Sequence, residues 1–285
     1  MARKQAKGKE VMSQWDDASE PWADFVRAGK DWTREELNNP AMFRMLGNIK
    51  GKKILDLCCG EGYNTRLMAA KGAKVTGVDF SKEMVKLALK EEKAGNQGID
   101  YFVSDAADLR KLHSSSFDIV ASFMALMDIE DYRAAIRETA RVLKRRGRFV
   151  FAICHPCFEA RVVRGKKIGG WVYGNHIKQW GSEVERARAE GMKPQYYSID
   201  CYFDESPDTV DWRMARLKRP FKTTSFHRTL TDYANALNDA GLHISRLDEP
   251  KPTIKGLRDH SAYFKGNLRI PHSIVIEAIK CRTTK

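Results

Sequence analysis

Between residues 53 and 153, five short apolar runs are interleaved with segments of helical periodicity, and no other pattern in the chain restricts the fold as tightly. The runs at 53–58 (KILDLC), 74–79 (KVTGVD), 100–104, 117–123 (FDIVASF) and 147–153 (GRFVFAI) read as buried strands. Helices are expected over 63–71, 82–94 and 131–143, the last ended by Gly147. Short strands joined by crossover helices predict an α/β fold with a doubly wound, mostly parallel sheet. The alternation resumes late in the chain, with a helix over 229–240 stopped by Gly241, then strands at 243–247 and 273–279. That makes seven strands.

Four regions follow from this pattern. Residues 1–50 carry Trp15, Trp22 and Trp32 with few strand signals, and predict a cap of short helices in which Pro40 opens an apolar segment. Residues 51–154 form the core, and 226–285 complete its sheet. The stretch 155–225 interrupts the alternation after strand five. Its two strand-like runs, 196–203 and 209–217, flank a turn around Pro207 and predict an antiparallel hairpin within the insertion. At roughly 70 residues it is long for a plain connection, which implies a role of its own.

Charge and cysteine content set further bounds. Of 285 residues, 42% are hydrophobic, enough for a sizeable core, and no apolar run is long enough for a membrane helix. The first residues are charged with no apolar stretch behind them, unlike a secretory signal, so a cytoplasmic protein is expected. Fifty Lys and Arg against 37 Asp and Glu give a net charge of +13. That excess suits nucleic acid or another anion, but it equally suits a basic enzyme whose charges are spread over its surface. Adjacent Cys58 and Cys59 read as buried thiols. Cys154-His155-Pro156-Cys157 has half-site spacing, but no second pair completes a four-ligand set, so no metal is expected.

In an open parallel sheet, ligands bind at the carboxyl ends of the strands, where strand order reverses. Here strand one ends in Asp56-Leu57-Cys58-Cys59-Gly60-Glu61-Gly62, and the glycines let backbone approach a ligand and turn into a helix. Strand two ends in Asp79, whose carboxylate suits the two hydroxyls of a ribose. Strand three leads to Asp105-Ala106, suited to an adenine edge, and strand four ends in Ser122-Phe123. A dinucleotide site would want glycine where Thr65 stands, and Asp56 would repel a pyrophosphate. An ammonium suits Asp56 better, and S-adenosylmethionine, a nucleoside carrying an amino acid, fits both ends.

These residues carry a resemblance. ILDLCCGEGYNTR at 54–66, VTGVDFSKEMVKLA at 75–88, SDAADL at 104–109 and FDIVASFMALMDIEDY followed by RVLKRRGRFVFAI recur in the order found in class I S-adenosylmethionine-dependent methyltransferases. The chain is similar to their small-molecule, quinone-biosynthesis-like branch. The resemblance implies a Rossmann-like sheet and places Asp56 near the methionine amino group, Gly60 and Gly62 beside methionine and ribose, and Asp79 on the ribose hydroxyls. It also implies Phe80 packed on adenine, Asp105 and Ala106 at its edge, and Ser122 and Phe123 below the sulfonium. One departure stands out: the family usually has glycine where this chain has Cys58. The N-terminal stretch is similar to entry helices that close over the cofactor, which nominates Arg34 for the methionine carboxylate and Trp15 as a lid residue.

Methyl transfer is an in-line displacement at an activated carbon, so the protein mainly aligns the partners and excludes water. A base is needed only when the acceptor must lose a proton. His155, just past strand five, is the candidate base, and His227 is a second histidine within reach of the pocket. The insertion then becomes an acceptor lid, with Trp171 and Tyr196 among its aromatic contacts. A small-molecule acceptor is the expected partner. An RNA or protein acceptor is the alternative, and a non-catalytic cofactor-binding regulator a more distant one.

Overall fold

The computed structural model describes residues 2–163, 166–178, 186–187, 190–213 and 216–281. Its centre is a seven-stranded sheet built from β1 (Lys53–Leu57), β2 (Lys74–Asp79), β3 (Asp100–Val103), β4 (Phe117–Phe123), β5 (Leu143–Cys154) and two late strands. Seven short cap strands follow β5: β6 (Arg161–Val163), β7 (Lys166–Ile168), β8 (Gly170–Tyr173), β9 (His176–Lys178), β10 (Tyr196–Ser198), β11 (Pro207–Trp212) and β12 (Phe221–Phe226). The sheet is then completed by β13 (Leu242–Asp248) and β14 (Ser273–Lys280), in the order β13-β14-β5-β4-β1-β2-β3. Within this sheet β14 alone runs against the direction of the other six strands, so its pairings with β13 and β5 are antiparallel. The chain winds outward from β1 to β3, then returns to β4 and β5 on the other side of β1. The crevice between β1 and β4 is therefore where a ligand is expected.

Both faces of the central strands β1, β4, β5 and β14 are covered, which is why they read as near-continuous apolar runs. Alternate residues of β5 show the division. Phe149, Phe151 and Ile153 pack with Ile136 of α5 (Tyr132–Val142) and Leu237 of α6 (Leu230–Asp239), while Val150 and Ala152 pack with Met42 and Met45 of α2 (Asn39–Leu46). Helix α6 starts where expected, with Thr229 and Asp232 forming a reciprocal capping box.

Three expectations need correction. The N-terminal region holds one long helix, α1 (Ala2–Arg27), rather than only short ones, even though Pro21 lies inside it. Proline cannot donate to the carbonyl four residues back, which is that of Asp17. Arg219 from the cap takes it instead, Nη2 to O at 2.8 Å. Next, α5 ends before Gly147: Leu143 is already extended (φ −68°, ψ 136°) and pairs with Phe117. Residues up to Arg148 are absorbed in a register irregularity, where a Cβ on Gly147 would lie 2.8 Å from the Lys144 carbonyl. Finally, the cap does contain a hairpin, but its partners differ. β10 pairs with β8, and β11 pairs with β12. Among the described residues, no helix is long and apolar enough to cross a membrane.

At the β13 side, one carboxylate joins several segments. Glu277 of β14 accepts from Arg148 Nη1 at 2.6 Å, from Arg246 Nε at 2.9 Å and from Ser245 Oγ at 2.7 Å. The two guanidiniums reach on to the Met45 carbonyl, at 3.2 Å each, and Arg148 also to that of Leu46 at 2.8 Å. These are among the last carbonyls of α2, whose orphan acceptors are thus satisfied. The paired guanidiniums and the Ser245 hydroxyl overcome the effect of burial and hold Glu277 down to about 2.

Candidate active site

A cavity of about 2140 Å³ opens over the carboxyl ends of β1, β2, β4 and β5. Ligand pockets commonly run to ~300–1,000 Å³, so this one has room for a nucleoside-sized cofactor and a second molecule. Helix α1 and the cap form its roof. Trp15, Trp22, Trp212 and Phe221 interlock there, with Trp22 and Trp212 ring centroids 5.3 Å apart.

The floor begins with the turn after β1. Cys58, Gly60 and Gly62 all have left-handed backbone, with φ of 61°, 55° and 83°. That conformation explains the usual glycine at the Cys58 position: a Cβ there costs roughly 1–2 kcal/mol. Gly62 opens α3 (Tyr63–Ala70), and a Cβ on it would overlap the Tyr101 hydroxyl. Gly62 thus shapes the loop without itself lining the cavity, whereas Gly60 lines it.

Two buried carboxyls face this turn. Asp79 accepts from Gly60 N at 2.8 Å through Oδ2 and from Ser81 N at 2.9 Å through Oδ1. Asp56 accepts from Thr65 Oγ1 at 2.6 Å. Burial pushes Asp56 up to about 7 and Asp79 up to about 6, with those hydrogen bonds opposing the rise. Arg34 lines the same end and favours the ionised form of Asp56. Its guanidinium lies 5.3 Å from the Trp22 ring centroid and pairs with Asp31 at 3.1 Å. Phe80, Asp105 and Ala106 continue the wall, with Asp105 Oδ1 accepting from Ala107 N at 2.8 Å.

Phe123 and Trp171 also face the cavity, as does Trp15. Four other expected residues do not. Ser122 is buried beside Phe123 but off the cavity wall, as strand alternation requires. Tyr196 is exposed on the outside of the cap. His155 is not placed to act as a base: it is buried off the wall, Nε2 meets Glu249 Oε1 at 2.9 Å, and Nδ1 accepts from Cys157 N at 3.2 Å. It holds the turn after β5. His227 is likewise buried behind the wall, hydrogen-bonded to Glu159 and to the Tyr202 carbonyl. The Cys154-His155-Pro156-Cys157 run does not converge either. Cys154 lines the cavity, while Cys157 Sγ points to Tyr202 Oη at 3.9 Å.

Sequence reasoning missed two carboxyls just beyond β4 and β5 and a third on β11. Asp128, Glu159 and Asp208 all line the cavity, Asp208 paired with Arg161 at 2.7 Å. Burial, and then the charge of Glu159, pushes Asp128 up to about 8. Asp128 and Glu159 follow strand ends within a few residues, and that position was the available signal.

The lining fits S-adenosylmethionine. A carboxylate has about four accepting sites, so each Asp79 oxygen can take a ribose hydroxyl beside its backbone amide. Two desolvated carboxyls at one end favour a cationic group over a phosphate. Gly60 leaves open space, its added Cβ meeting only Met84 Sδ at 4.0 Å.

Comparison with known proteins agrees. Residues 55–151 match a family described as a methyltransferase domain. An uncharacterised Haemophilus influenzae protein is 29% identical over 79% of this chain and 80% of its own length. A ubiquinone biosynthesis O-methyltransferase from Idiomarina loihiensis is 32% identical over 50% of this chain, which spans 61% of that enzyme. The crystal structure of an S-adenosylmethionine-dependent methyltransferase from Mesorhizobium loti superposes with a TM-score of 0.64 at 28% identity, covering 84% of this chain and 96% of that one. With the parallel sheet, the glycine turn after β1 and the two buried carboxyls beside it, these likenesses agree on one conclusion: residues 55–151 form a methyltransferase domain of the class I S-adenosylmethionine-dependent kind.

Proposed function

We propose that the protein methylates a small molecule with a flat or apolar body. The observation that carries this reading is the shared roof: one cavity, closed by α1 and the cap, is large enough for donor and acceptor together. Phe158, Trp171, Tyr197 and Trp212 give its cap side an aromatic surface. The Idiomarina relative, named for ubiquinone biosynthesis, supports an acceptor of this kind.

When bound, S-adenosylmethionine supplies a methyl group already activated by its sulfonium. Asp79 would hold the ribose, Asp56 the amino group, Asp105 and Ala106 the adenine edge beside Phe80, and Arg34 the carboxylate. The aromatic wall would orient the acceptor, and the roof would exclude water, so that proximity accounts for most of the acceleration. An RNA or protein acceptor is less well supported, because carboxyls such as Asp128, Glu159 and Asp208 line the cavity despite the net charge of +13.

The test is a labelled-methyl assay against separated metabolite, RNA and protein fractions. Label should enter the metabolite fraction. Incorporation confined to RNA or protein would overturn the small-molecule reading. Within the donor site, Arg34→Ala should weaken S-adenosylmethionine binding about tenfold, the loss of one partly exposed charge-assisted contact. Calorimetric affinity equal to that of the parent chain would remove Arg34 from the site.

A further inference from the structure

The two histidines singled out by sequence have different surroundings, and one of them is tied to a carboxylate on the cavity wall. His227 Nε2 lies 2.8 Å from the Tyr202 carbonyl oxygen, which has no hydrogen to give, so Nε2 must carry the proton. Its Nδ1 lies 2.9 Å from Glu159 Oε2. One proton must sit in that second contact. Either the ring is an imidazolium facing a carboxylate, or a neutral ring accepts from a protonated glutamate. The ring itself is held in place: it is buried, and Tyr202 is fixed by its hydroxyl accepting from Leu230 N at 3.0 Å.

Glu159 stands in the first turn after β5 and lines the cavity beside Phe158 and the cap aromatics. Asp128, from the loop after β4, interacts with it electrostatically and also raises the thiol of Cys58 in the β1 turn. The pair therefore lies toward the acceptor end, within electrostatic reach of the donor end. Asp128 itself is unsuited to accept a proton, since burial and Glu159 keep it in its acid form at neutral pH.

Resting on the methyltransferase function proposed above, we infer that Glu159 takes the proton of the acceptor, with His227 as its positioning partner, and that the methylated atom is a hydroxyl or phenolic oxygen. The balance is simple. The acceptor oxygen forms its bond to the methyl carbon, the carbon–sulfur electron pair stays on sulfur as a neutral thioether, and the hydroxyl proton moves to Glu159. His227 holds the carboxylate oriented beforehand through the Nδ1–Oε2 contact. A nitrogen acceptor that is already neutral, or a pre-ionised thiol, would need no such group.

Two measurements on the full chain test this. Ring-nitrogen NMR of His227 at neutral pH should show both nitrogens protonated in the parent chain, and a neutral ring protonated only at Nε2 in Glu159→Gln. Methyl transfer to a phenol series from p-cresol to p-nitrophenol should fall about a hundredfold in Glu159→Gln for the least acidic phenol and much less for the most acidic. Glu159→Asp should recover part of the loss. Calorimetric affinity for S-adenosylmethionine should stay unchanged throughout. Equal losses across the series, an equal loss of donor affinity, or methylation only of thiols or amines by the parent chain would overturn the assignment. Failure of the parent chain to bind S-adenosylmethionine would overturn the functional reading beneath it.

Discussion

Replacing Asp79 with alanine should raise the dissociation constant for S-adenosylmethionine by roughly ten- to a hundredfold, about 1.4–2.7 kcal/mol. The side chain would no longer accept from the two ribose hydroxyls, and the amides of Gly60 and Ser81 would lose their partner as well. Asp79→Asn separates the two effects, because its side-chain carbonyl can still accept from one amide. Calorimetry on both variants, with thermal unfolding as a control, measures the outcome. Affinity equal to that of the parent chain would remove Asp79 from the donor site.

The same carboxyls set a pH dependence. Asp56 is raised to about 7 and Asp79 to about 6, and in the donor site proposed above each would accept from its ammonium or hydroxyl partner in the ionised form. Donor affinity should therefore be level above pH ~8 and weaken as pH falls through 7 and 6, with proton release on binding in that window. For the cofactor-free fold the sign is reversed. Raised carboxyls bind protons more tightly folded than unfolded, so the chain should gain stability as pH falls from ~8 toward ~5.

Glu277→Ala should produce the largest loss of fold stability, about 2–3 kcal/mol. Breaking a buried ion pair typically costs ~3–5 kcal/mol, and the value is lower here because both guanidiniums reach water. Arg246 is 55% exposed and Arg148 25%, against 4% for Glu277. Arg246→Ala alone should cost no more than ~1 kcal/mol. A depressed carboxyl adds stability that is present above its unfolded value, 4.5, and lost as pH falls toward its folded value of about 2. Urea unfolding should show a lower midpoint with an unchanged slope, and a weaker acid transition below pH ~4. A midpoint matching that of the parent chain would show that the cluster adds nothing.

The sheet was legible because buried parallel strands have little choice of composition: KILDL, FDIVASF and GRFVFAI are apolar through both faces. The turn after β1 was legible for a similar reason, since left-handed backbone selects glycine and leaves Cys58 as a visible exception. Asp56, Asp79 and Arg34 were nominated from position at strand ends and from resemblance, and all three line one cavity. The helix across Pro21 was not legible, because what permits it is Arg219, about 200 residues away. The cap pairings failed for a related reason: β10 and β11 each pair with a strand other than the one nearest in the assumed hairpin. His155 and His227 illustrate the remaining limit. Local sequence brings both near the strand edge, but only side-chain partners distant in the chain decide which one is linked to the cavity wall.

The cap strands leave the sheet after β5, and the chain returns to it with α6, which packs on the core, and β13, which pairs with β14. On the function proposed above, most residues that would grip the methyl source come from the sheet edge, and most of those that would greet its recipient come from the cap. Substitutions in the second group can then change the recipient while leaving the grip on the donor in place.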